Sequence, residues 1–496
     1  MDLQRSIFDN LNKAFVFAFL IFLTGFLLIV ILNVGHTWGI ALSLIPFGII
    51  TLLYLAEKPY HSFLLLFTVN YFVSGATRYA SFPPGITMDI VIILTMFIVF
   101  LQFFKGERSV KLSDAFNNLT LVAFLWLLYC TFLIFNPESS SPLAWLGNVR
   151  GIGIYFFIVT ALASIFLRKY KNLKTILNLW AIFCLIAIFK AFIQKTFGFD
   201  FWESRWLEEG GKNTHIIHSG IRYFSIFTDA GNFGSGIAFS MVVFFISAFQ
   251  YKEYKKRIFF LVVAVACFYG MIISGTRGSL IIPLSGLALY TALSKNIRAI
   301  IPTFAILIFA VWFLNFTFIG QGNTYIRRMR SVFNPDDASL GARLENQRLL
   351  RTQMIGKPLG VGIGMKRGNA VLYTPHPVLS KIPHDSWYVL IWVELGIVGL
   401  IAYVLMILYI LLHGAYLILF RLKNKELKGL VSALLCGLFG VSLAAYSLEI
   451  FGQMPNSILI YITMTLIFLS PIYDKELEES ADILDESPKR KMYKPV

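Results

Sequence analysis

Charged residues are scarce in this chain of 496 residues. Asp, Glu, Lys and Arg make up only 14% of it, whereas soluble domains average about 25%. Apolar residues make up 57%, and apolar runs of about 18 residues or more, long enough for a helix to cross a bilayer, recur along the whole length. The composition therefore excludes an ordinary soluble domain and predicts an all-α polytopic membrane protein.

Cysteine is also scarce, and its placement excludes two classes of site. The four cysteines all fall inside apolar runs, at Cys130, Cys184, Cys267 and Cys436. None lies in a loop and no CxxC pair occurs, so we expect neither a disulfide framework nor a cysteine metal site. Each cysteine is predicted to be a small buried apolar side chain.

No segment of the chain resembles a nucleic-acid-binding module. The net charge is nevertheless +16. In a membrane protein an excess of Lys and Arg first reports topology. We therefore expect the lipid bilayer, and no nucleic acid, among the partners.

The apolar runs predict about fourteen membrane-spanning helices, with twelve as the lower bound. The run 14–34 is too long for a signal-peptide core and has no small-residue cleavage pattern, so we expect a retained first span. The run 386–412 is long enough for a tilted span, or for a short interfacial helix followed by a span. The remaining predicted spans are 38–56, 61–77, 86–104, 116–135, 151–167, 174–192, 233–250, 258–274, 279–294, 299–316, 429–448 and 455–472.

Positive residues are distributed unevenly over the connections. The N-terminal segment and the even-numbered connections carry 20 Lys and Arg residues, whereas the short odd-numbered connections carry three, Arg78, Arg150 and Arg277. Because cytoplasmic loops are enriched in Lys and Arg, both termini are predicted to be cytoplasmic. The two long connections then lie on the outer side.

These predictions divide the chain into six segments. The second outer loop carries ten Lys or Arg and four Asp or Glu residues and is predicted to be partly helical. An anionic substrate is the simplest reason for a basic outer domain. The segments are an N-terminal transmembrane bundle (1–192), an outer loop (193–232), central transmembrane helices (233–316), a large basic outer loop (317–385), C-terminal transmembrane helices (386–472) and a charged cytoplasmic tail (473–496).

The stretch HSGIRYFSIFTDAGNFGSG, residues 218–236, ends the first outer loop and enters a span. Asp229 and Asn232 precede the helix, where such side chains cap exposed N–H groups; they are also candidate substrate contacts. Arg222 does not suit that place, because a positive charge opposes the helix dipole. We therefore predict that Arg222 binds an anion.

A second candidate is the turn SGTRG, residues 274–278, between two spans. Arg277 lies almost within the membrane interface, where an ionisable residue is a functional-site hypothesis by default. Its alternative is a side chain that extends to lipid phosphates. Gly275 and Gly278 allow backbone N–H groups to approach a ligand closely.

The third candidate is the helix predicted from residue 341, in the large basic loop. Arg343, Gln347 and Arg351 are spaced four apart and are predicted to share one face. Both arginines are candidate substrate ligands. The glycines at 360, 362 and 364 lack the Lys-Ser/Thr of a nucleotide loop, so a tight turn is the simpler interpretation.

His384 and Asp385 end the same loop where the chain enters a span. Titration near neutral pH makes His the usual proton acceptor in catalysis, and Asp385 is expected either to cap the helix or to contact the substrate. His215 and His218 form HxxH, but no third ligand suggests itself. We expect no metal and no cofactor.

Arginines in an outer pocket, a neutral His and access from lipid together indicate one reaction. Arginines neutralise a diphosphate and stabilise it as a leaving group, and His takes the proton from an attacking hydroxyl. These roles describe glycosyl transfer from a lipid diphosphate to an acceptor alcohol. The alternatives are a flippase or exporter for lipid-linked glycans, which would place charges inside spans and have two related halves, and a structural scaffold.

Four motifs in order resemble the bacterial O-antigen ligase and O-antigen polymerase superfamily. They are R-x-F-S-x-F-x-D-x-x-N-F-G (222–234), S-G-T-R-G (274–278), P-L-G-V-G-I-G (358–364) and H-D-S-W-x-x-x-x-x-x-E-x-G-I-V-G (384–399). The resemblance runs from about residue 218 to residue 410. Before that, only the hydrophobic pattern matches.

This resemblance implies a metal-independent glycosyltransferase of the bacterial inner membrane with a periplasmic active site. Its donor would be an undecaprenyl-diphosphate-linked glycan. Arg222 and Arg277 match the family's diphosphate-binding arginines and His384 its catalytic His. The family usually has His-Asn, whereas this chain has His384-Asp385.

The resemblance leaves the acceptor open. A ligase would use a hydroxyl of a lipid-A core or of another glycan, lipid or protein, whereas a polymerase would use the next lipid-linked repeat. Candidate residues concentrate in one large late loop, which favours a ligase-like member slightly, although fourteen spans favour a polymerase.

Overall fold

A computed structural model describes residues 36–80, 82–104, 110–139, 141–217, 220–294, 297–331, 338–364, 376–384 and 386–491. The predicted first span, His218 and Asp385 lie outside these residues.

Helices make up nearly all of the regular structure in the described ranges. The two strands are β1 Ile216–Ile217 and β2 Gly220–Ile221, which pair antiparallel. The helices are α1 His36–Glu57, α2 Pro59–Ala76, α3 Pro84–Phe104, α4 Asn118–Phe132, α5 Pro142–Val149, α6 Tyr155–Phe166, α7 Tyr170–Thr196, α8 Phe201–Trp206, α9 Lys212–His215, α10 Ala230–Ala248, α11 Tyr254–Ile273, α12 Ile281–Leu293, α13 Ile297–Phe316, α14 Thr324–Arg330, α15 Ala338–Gln353, α16 Pro377–Lys381, α17 Trp387–Tyr416, α18 Lys425–Ala444, α19 Asn456–Phe468 and α20 Ser470–Lys491.

The all-α polytopic membrane class is confirmed, but the number of spans is lower than predicted. Among the described residues, eight helices are long and apolar enough to cross a membrane, or nine if the bent pair Asn456–Phe468 and Ser470–Asp482 counts as one span. Fourteen were predicted. Part of the difference arises because the predicted first span lies outside the described residues and the apolar helix Arg277–Leu293 falls below the length of the counted spans.

The chain separates into two compact units, and the division falls within α2 and α3. The described part of the smaller unit is residues 36–62 and 97–104. Inside it, Gln102 Nε2 donates a hydrogen bond to Ala56 O at 2.6 Å. The larger unit takes residues 63–96 and the chain from 108 onward, and every candidate site residue belongs to it.

Glycines allow the central helices of the larger unit to pack closely. A Cβ atom at Gly286 of α12 would lie 2.8 Å from Cys436 O in α18, and one at Gly440 of α18 would lie 2.5 Å from Ile282 O. Small residues at such contacts are typical of helix packing in membranes. The four cysteines are buried, as predicted.

Helix α17 is broken at Gly396, whose φ of 75° no other residue type adopts readily. The glycine turn at 360–364 fills the break: Val361 N donates to Val393 O at 2.9 Å and Gly362 N donates to Glu394 O at 3.0 Å. The glycines therefore serve close backbone packing. This is the short helix followed by a span that the length of 386–412 allowed.

Charged groups of the larger unit contact one another in two separate sets. Predicted even-numbered connections supply the pairs Arg168–Asp114, Lys174–Glu426 and Lys423–Glu478. The predicted outer connections and the span ends beside them supply the pairs Arg150–Asp89, Lys190–Asp200, Lys357–Glu138 and His384–Glu449. The two sets therefore follow the predicted alternation of loops along the chain.

Candidate functional site

Arg222 is held by the small hairpin that precedes α10. Its backbone N donates to His215 O at 2.8 Å, directly after β2. The guanidinium donates to Thr214 O and to Thr276 Oγ1, each at 3.1 Å. The second bond joins the first outer loop to the SGTRG turn.

Three arginines from distant parts of the chain act on one another. Burial lowers the pKa of Arg222, the nearby carboxylate of Asp229 opposes that shift, and the positive charges of Arg277 and Arg343 lower the pKa further. An arginine stays protonated under such conditions. The region therefore holds concentrated positive charge, which an anion would stabilise.

Arg277 lies in the tight turn that the sequence singled out. Gly275 has a φ of 59°, and Arg277 begins a short 3₁₀ turn that leads into α12. Its Nη1 donates to Ser331 Oγ at 2.8 Å, which fixes the side chain against the end of α14. Thr276 Oγ1 donates to Ala230 O at 2.7 Å, so the turn also packs on the start of α10.

Asp229 caps α10, which is the first of the two roles expected for it. Its Oδ1 accepts hydrogen bonds from Gly231 N at 2.6 Å and from Asn232 N at 3.0 Å. Asn232 is buried and donates through Nδ2 to Met454 O at 2.6 Å. Asn456 Nδ2 in turn donates to Asn232 O at 2.8 Å.

A cavity of about 200 Å³ opens beside this helix start. Two carboxylates, one arginine, two amides and two hydroxyls line it, which is hydrogen-bonding chemistry suited to a polar ligand. They belong to Asp229, Glu449, Arg343, Asn232, Gln453, Ser235 and Ser447.

His384 lies against Glu449, with 2.6 Å between Nε2 and the carboxylate Oε1. The two residues meet because Trp387 N donates to Ala445 O at 3.0 Å and Ser386 Oγ donates to the same oxygen at 3.2 Å. Ser386 is the N-cap of α17. The sequence offered one signal for Glu449, its position at the end of the predicted span 429–448.

The residues predicted to share one basic face of α15 differ in their exposure. Arg343 and Gln347 are half-buried, and Leu350 and Met354 are buried, whereas Arg351 is exposed. Positions eight apart differ by about 80° around a helix, which is enough to separate Arg351 from Arg343. The structure therefore brings Arg343, and not Arg351, to the cavity.

His215 has a structural environment. Its Nδ1 contacts Gly211 O at 2.8 Å, and Ala230 N donates to its Nε2 at 3.1 Å. Burial lowers its pKa, so the ring is neutral at pH 7. Over the described ranges, no group of three or more His, Cys, Asp or Glu side chains is placed to hold a metal ion.

Arg78, counted in the sequence only as a loop charge, shapes the segment between Arg222 and Asp229. Its guanidinium lies 4.7 Å from the ring of Trp206 and 4.4 Å from that of Phe224. It donates to Ser225 O at 2.8 Å, to Thr228 O at 3.3 Å and to Phe227 O. Burial lowers its pKa to about 10, which still leaves it charged at neutral pH.

A protein-family model described as O-antigen ligase matches residues 262–404. Arg277, Arg343 and His384 fall within the match, whereas Arg222 and Glu449 lie outside it. No curated protein matches the chain. The match covers less than a third of the chain, and over residues 262–404 the chain is similar to the O-antigen ligase family.

Proposed function

We propose that the protein transfers a glycan from undecaprenyl diphosphate to an acceptor hydroxyl on the periplasmic side of the bacterial inner membrane, as an O-antigen ligase-like enzyme. Both termini are then cytoplasmic. The observation that carries the proposal is a polar cavity lined by Arg343 and by Glu449, which is itself paired with His384. Arg222 bonds to the turn that carries Arg277, and that turn bonds to Ala230 beside the cavity.

The arginines suit a diphosphate leaving group. Arg222 and Arg277 come from separate loops, and hydrogen bonds to Thr276 and Ser331 position their guanidiniums. Positive groups held in place before reaction stabilise the charge that develops as the bond to phosphate breaks. Arg343 carries this basic region to the cavity wall.

Glycan contacts are proposed for the cavity. Asp229 and Asn232 line it, although both also bond to the backbone at the start of α10. Two further contacts are proposed. The exposed Arg351 suits a rim contact to the extended glycan, and Asp385 adjoins His384 in sequence.

His384 acts as the general base through a defined nitrogen. Nε2 lies 2.6 Å from the Glu449 carboxylate, which leaves Nδ1 as the accepting atom in this proposal. The acceptor oxygen attacks the anomeric carbon and gives its proton to Nδ1. The bond between that carbon and the phosphate oxygen breaks, and its electron pair leaves with the diphosphate.

A polymerase would use the same donor and the same base, with the next lipid-linked repeat as acceptor. A flippase or exporter would move the donor without breaking it. The cavity lined by Glu449, which pairs with His384, favours group transfer, because a His ring beside a carboxylate at a polar pocket suits a general base.

One assay separates these functions. The purified protein in lipid vesicles is given a polyprenyl-diphosphate oligosaccharide and an acceptor glycan, and free polyprenyl diphosphate and the new glycoside are measured. A transferase releases both. Movement of intact donor without release would contradict the proposal and favour an exporter.

His384→Ala should lower the transfer rate about 10²–10⁴-fold, because general-base help is lost. Glu449→Gln should lower it about 10–100-fold, the value of a hydrogen bond to a charged group. Arg277→Ala should weaken donor binding.

His413→Asn is the matched control, since His413 lies far along α17 and stacks on Phe468; it should keep full activity. Full activity of His384→Ala would rule out its role as the base.

A further inference from the structure

Beside the arginines, an exposed lysine lies between two tyrosine rings. Lys195 Nζ is 5.1 Å from the ring centre of Tyr269 and 5.3 Å from that of Tyr325. The three residues come from the last turn of α7, the last turn of α11 and the first turn of α14. Such cation–π contacts hold the ammonium group near the surface without neutralising it.

Helix α14 connects this cluster to the arginine site. Tyr325 and Arg328 are three apart and neighbour each other on the helix surface, and Ser331 directly follows the last residue of the helix. The Tyr325 ring lies 6.4 Å from the ring of Tyr223, which directly follows Arg222. Ser331 accepts the hydrogen bond from Arg277 at the C-terminal end of the helix.

Arg328 lies on α14 between Tyr325 and Ser331. A Cβ atom at Gly275 would lie 3.5 Å from Arg328 Nη1 and 3.4 Å from Arg222 Cγ. Arg328 and Arg222 therefore flank one glycine. A continuous series of cationic and aromatic groups runs from Lys195 through Arg328 to Arg222.

Below the lysine, α11 presents an apolar surface. Val262, Val265 and Phe268 are exposed and follow one another at helical spacing up to Tyr269. In a span, an exposed apolar face of this kind lies against lipid. Tyrosine at its end is typical of the membrane interface.

We propose that Lys195, Tyr269, Tyr325 and Arg328 form an entry subsite for the lipid diphosphate donor. This rests on the proposed function. The diphosphate leaves the headgroup layer, binds at Lys195 and Arg328, and moves along α14 to Arg222 and Arg277, while the polyprenyl chain stays against α11. The two cations favour the diphosphate as ligand, because its negative charge complements theirs and a neutral glycan carries no such charge. The series of groups that continues to Arg222 distinguishes this subsite from an ordinary contact with lipid headgroups.

Direct binding tests the subsite. The probe is polyprenyl diphosphate without sugars, measured by native mass spectrometry of the full-length protein from nanodiscs of neutral phospholipid. Lys195→Gln and Arg328→Gln should each weaken binding about 3–10-fold. Lys195 is exposed, so its replacement should leave folding intact. In turnover, Lys195→Gln should raise the donor KM by a similar factor with kcat unchanged.

The matched control lies at the opposite end of the same helix. Lys174 is also placed over a tyrosine, with Nζ 4.4 Å from the ring of Tyr170. Lys174→Gln should leave donor binding unchanged. A second arm replaces the neutral lipid with anionic phospholipid, which should compete only weakly.

Three outcomes would overturn the subsite: unchanged donor binding in Lys195→Gln and Arg328→Gln, an equal loss in Lys174→Gln, or full competition by anionic phospholipid. Failure of the proposed function looks different. In that case the unaltered protein binds polyprenyl diphosphate with the expected dependence on Lys195 but forms no glycoside.

Discussion

Two histidines show how neighbouring groups decide what a side chain can do. His215 uses both ring nitrogens within the protein, through Gly211 O and Ala230 N. His384 turns one nitrogen to the Glu449 carboxylate. A ring with both nitrogens engaged stabilises structure, whereas a ring oriented by a carboxylate has the arrangement that proton transfer requires.

The buried His215 predicts a pH dependence of stability. Burial holds its pKa below the usual value of 6.5 in the folded protein. The unfolded chain therefore binds a proton that the folded protein does not, and the folded protein loses stability as the pH falls below about 6.5. Above that pH the contribution is constant.

Thermal unfolding in detergent between pH 5 and pH 7.5 measures this effect. His215→Gln should begin with a lower unfolding temperature, because two hydrogen bonds are altered, and should show a shallower fall toward acid pH. An equal slope in the two proteins would exclude His215 as its source.

At this scale the sequence singled out the arginines but not their partners. Arg222 and Arg277 were noticeable because a charge at a helix start or a membrane interface has few structural explanations. Glu449 meets His384 across 65 positions of the chain, and Arg78 meets Phe224 across 146. No local pattern specifies such contacts.

Helix α17 and the glycine turn form one unit. The break at Gly396 exposes the carbonyls of Val393 and Glu394, and amides from the turn satisfy them. Asn136 Nδ2 adds bonds to Leu359 O and Gly360 O, each at 3.0 Å. Free backbone groups at membrane depth are tolerated only when protein satisfies them in this way.

Gly396→Ala should therefore destabilise the protein by about 1–3 kcal/mol, because a side chain is strained at this φ and would meet the backbone of the turn. Gly341→Ala is the matched control. Gly341 lies in α15 with no atom within 4 Å of a built Cβ, and alanine there should stabilise the helix by up to about 1 kcal/mol. The unfolding temperatures of both variants give the comparison; no loss in Gly396→Ala would contradict the packing described.

The length of the run at 386–412 allowed two arrangements, and sequence could not choose between them. The choice depends on Pro358 O and the turn that follows it, which approach Gly396 from a different part of the chain. The glycine turn itself was expected. Its hydrogen bonds to the break in α17 were not expected, because the sequence does not show which helix is broken.

At the scale of the whole molecule, the two sets of ion pairs follow the predicted alternation of loops. The distribution of Lys and Arg predicts that the set with Lys423 is cytoplasmic and the set with His384 periplasmic. The four native cysteines are buried, so a single introduced cysteine reports its own position.

Thr352→Cys in α15 and Lys423→Cys after α17 test this orientation, because both positions are exposed. In intact spheroplasts, a membrane-impermeant maleimide should label Thr352→Cys and leave Lys423→Cys unmodified until the membrane is permeabilised. The reverse pattern would place the cavity in the cytoplasm and remove the basis for a periplasmic transferase.

Membrane class was predictable from composition, whereas the number of spans was not. A hydrophobic window cannot distinguish a full span from a shorter apolar helix such as Arg277–Leu293. That segment begins at Arg277, the arginine of the SGTRG turn, so part of its length is the 3₁₀ turn that precedes α12.

The position of Glu449 has a consequence for protein engineering. It lies beyond the segment 262–404, and Arg222 lies before it. A chimaera that received only that segment from this protein would contain His384 and Arg277, but Glu449 and Arg222 would be replaced by the residues of the other protein. Modules for transplantation between such proteins would need to extend from the first outer loop to the connection that precedes α19.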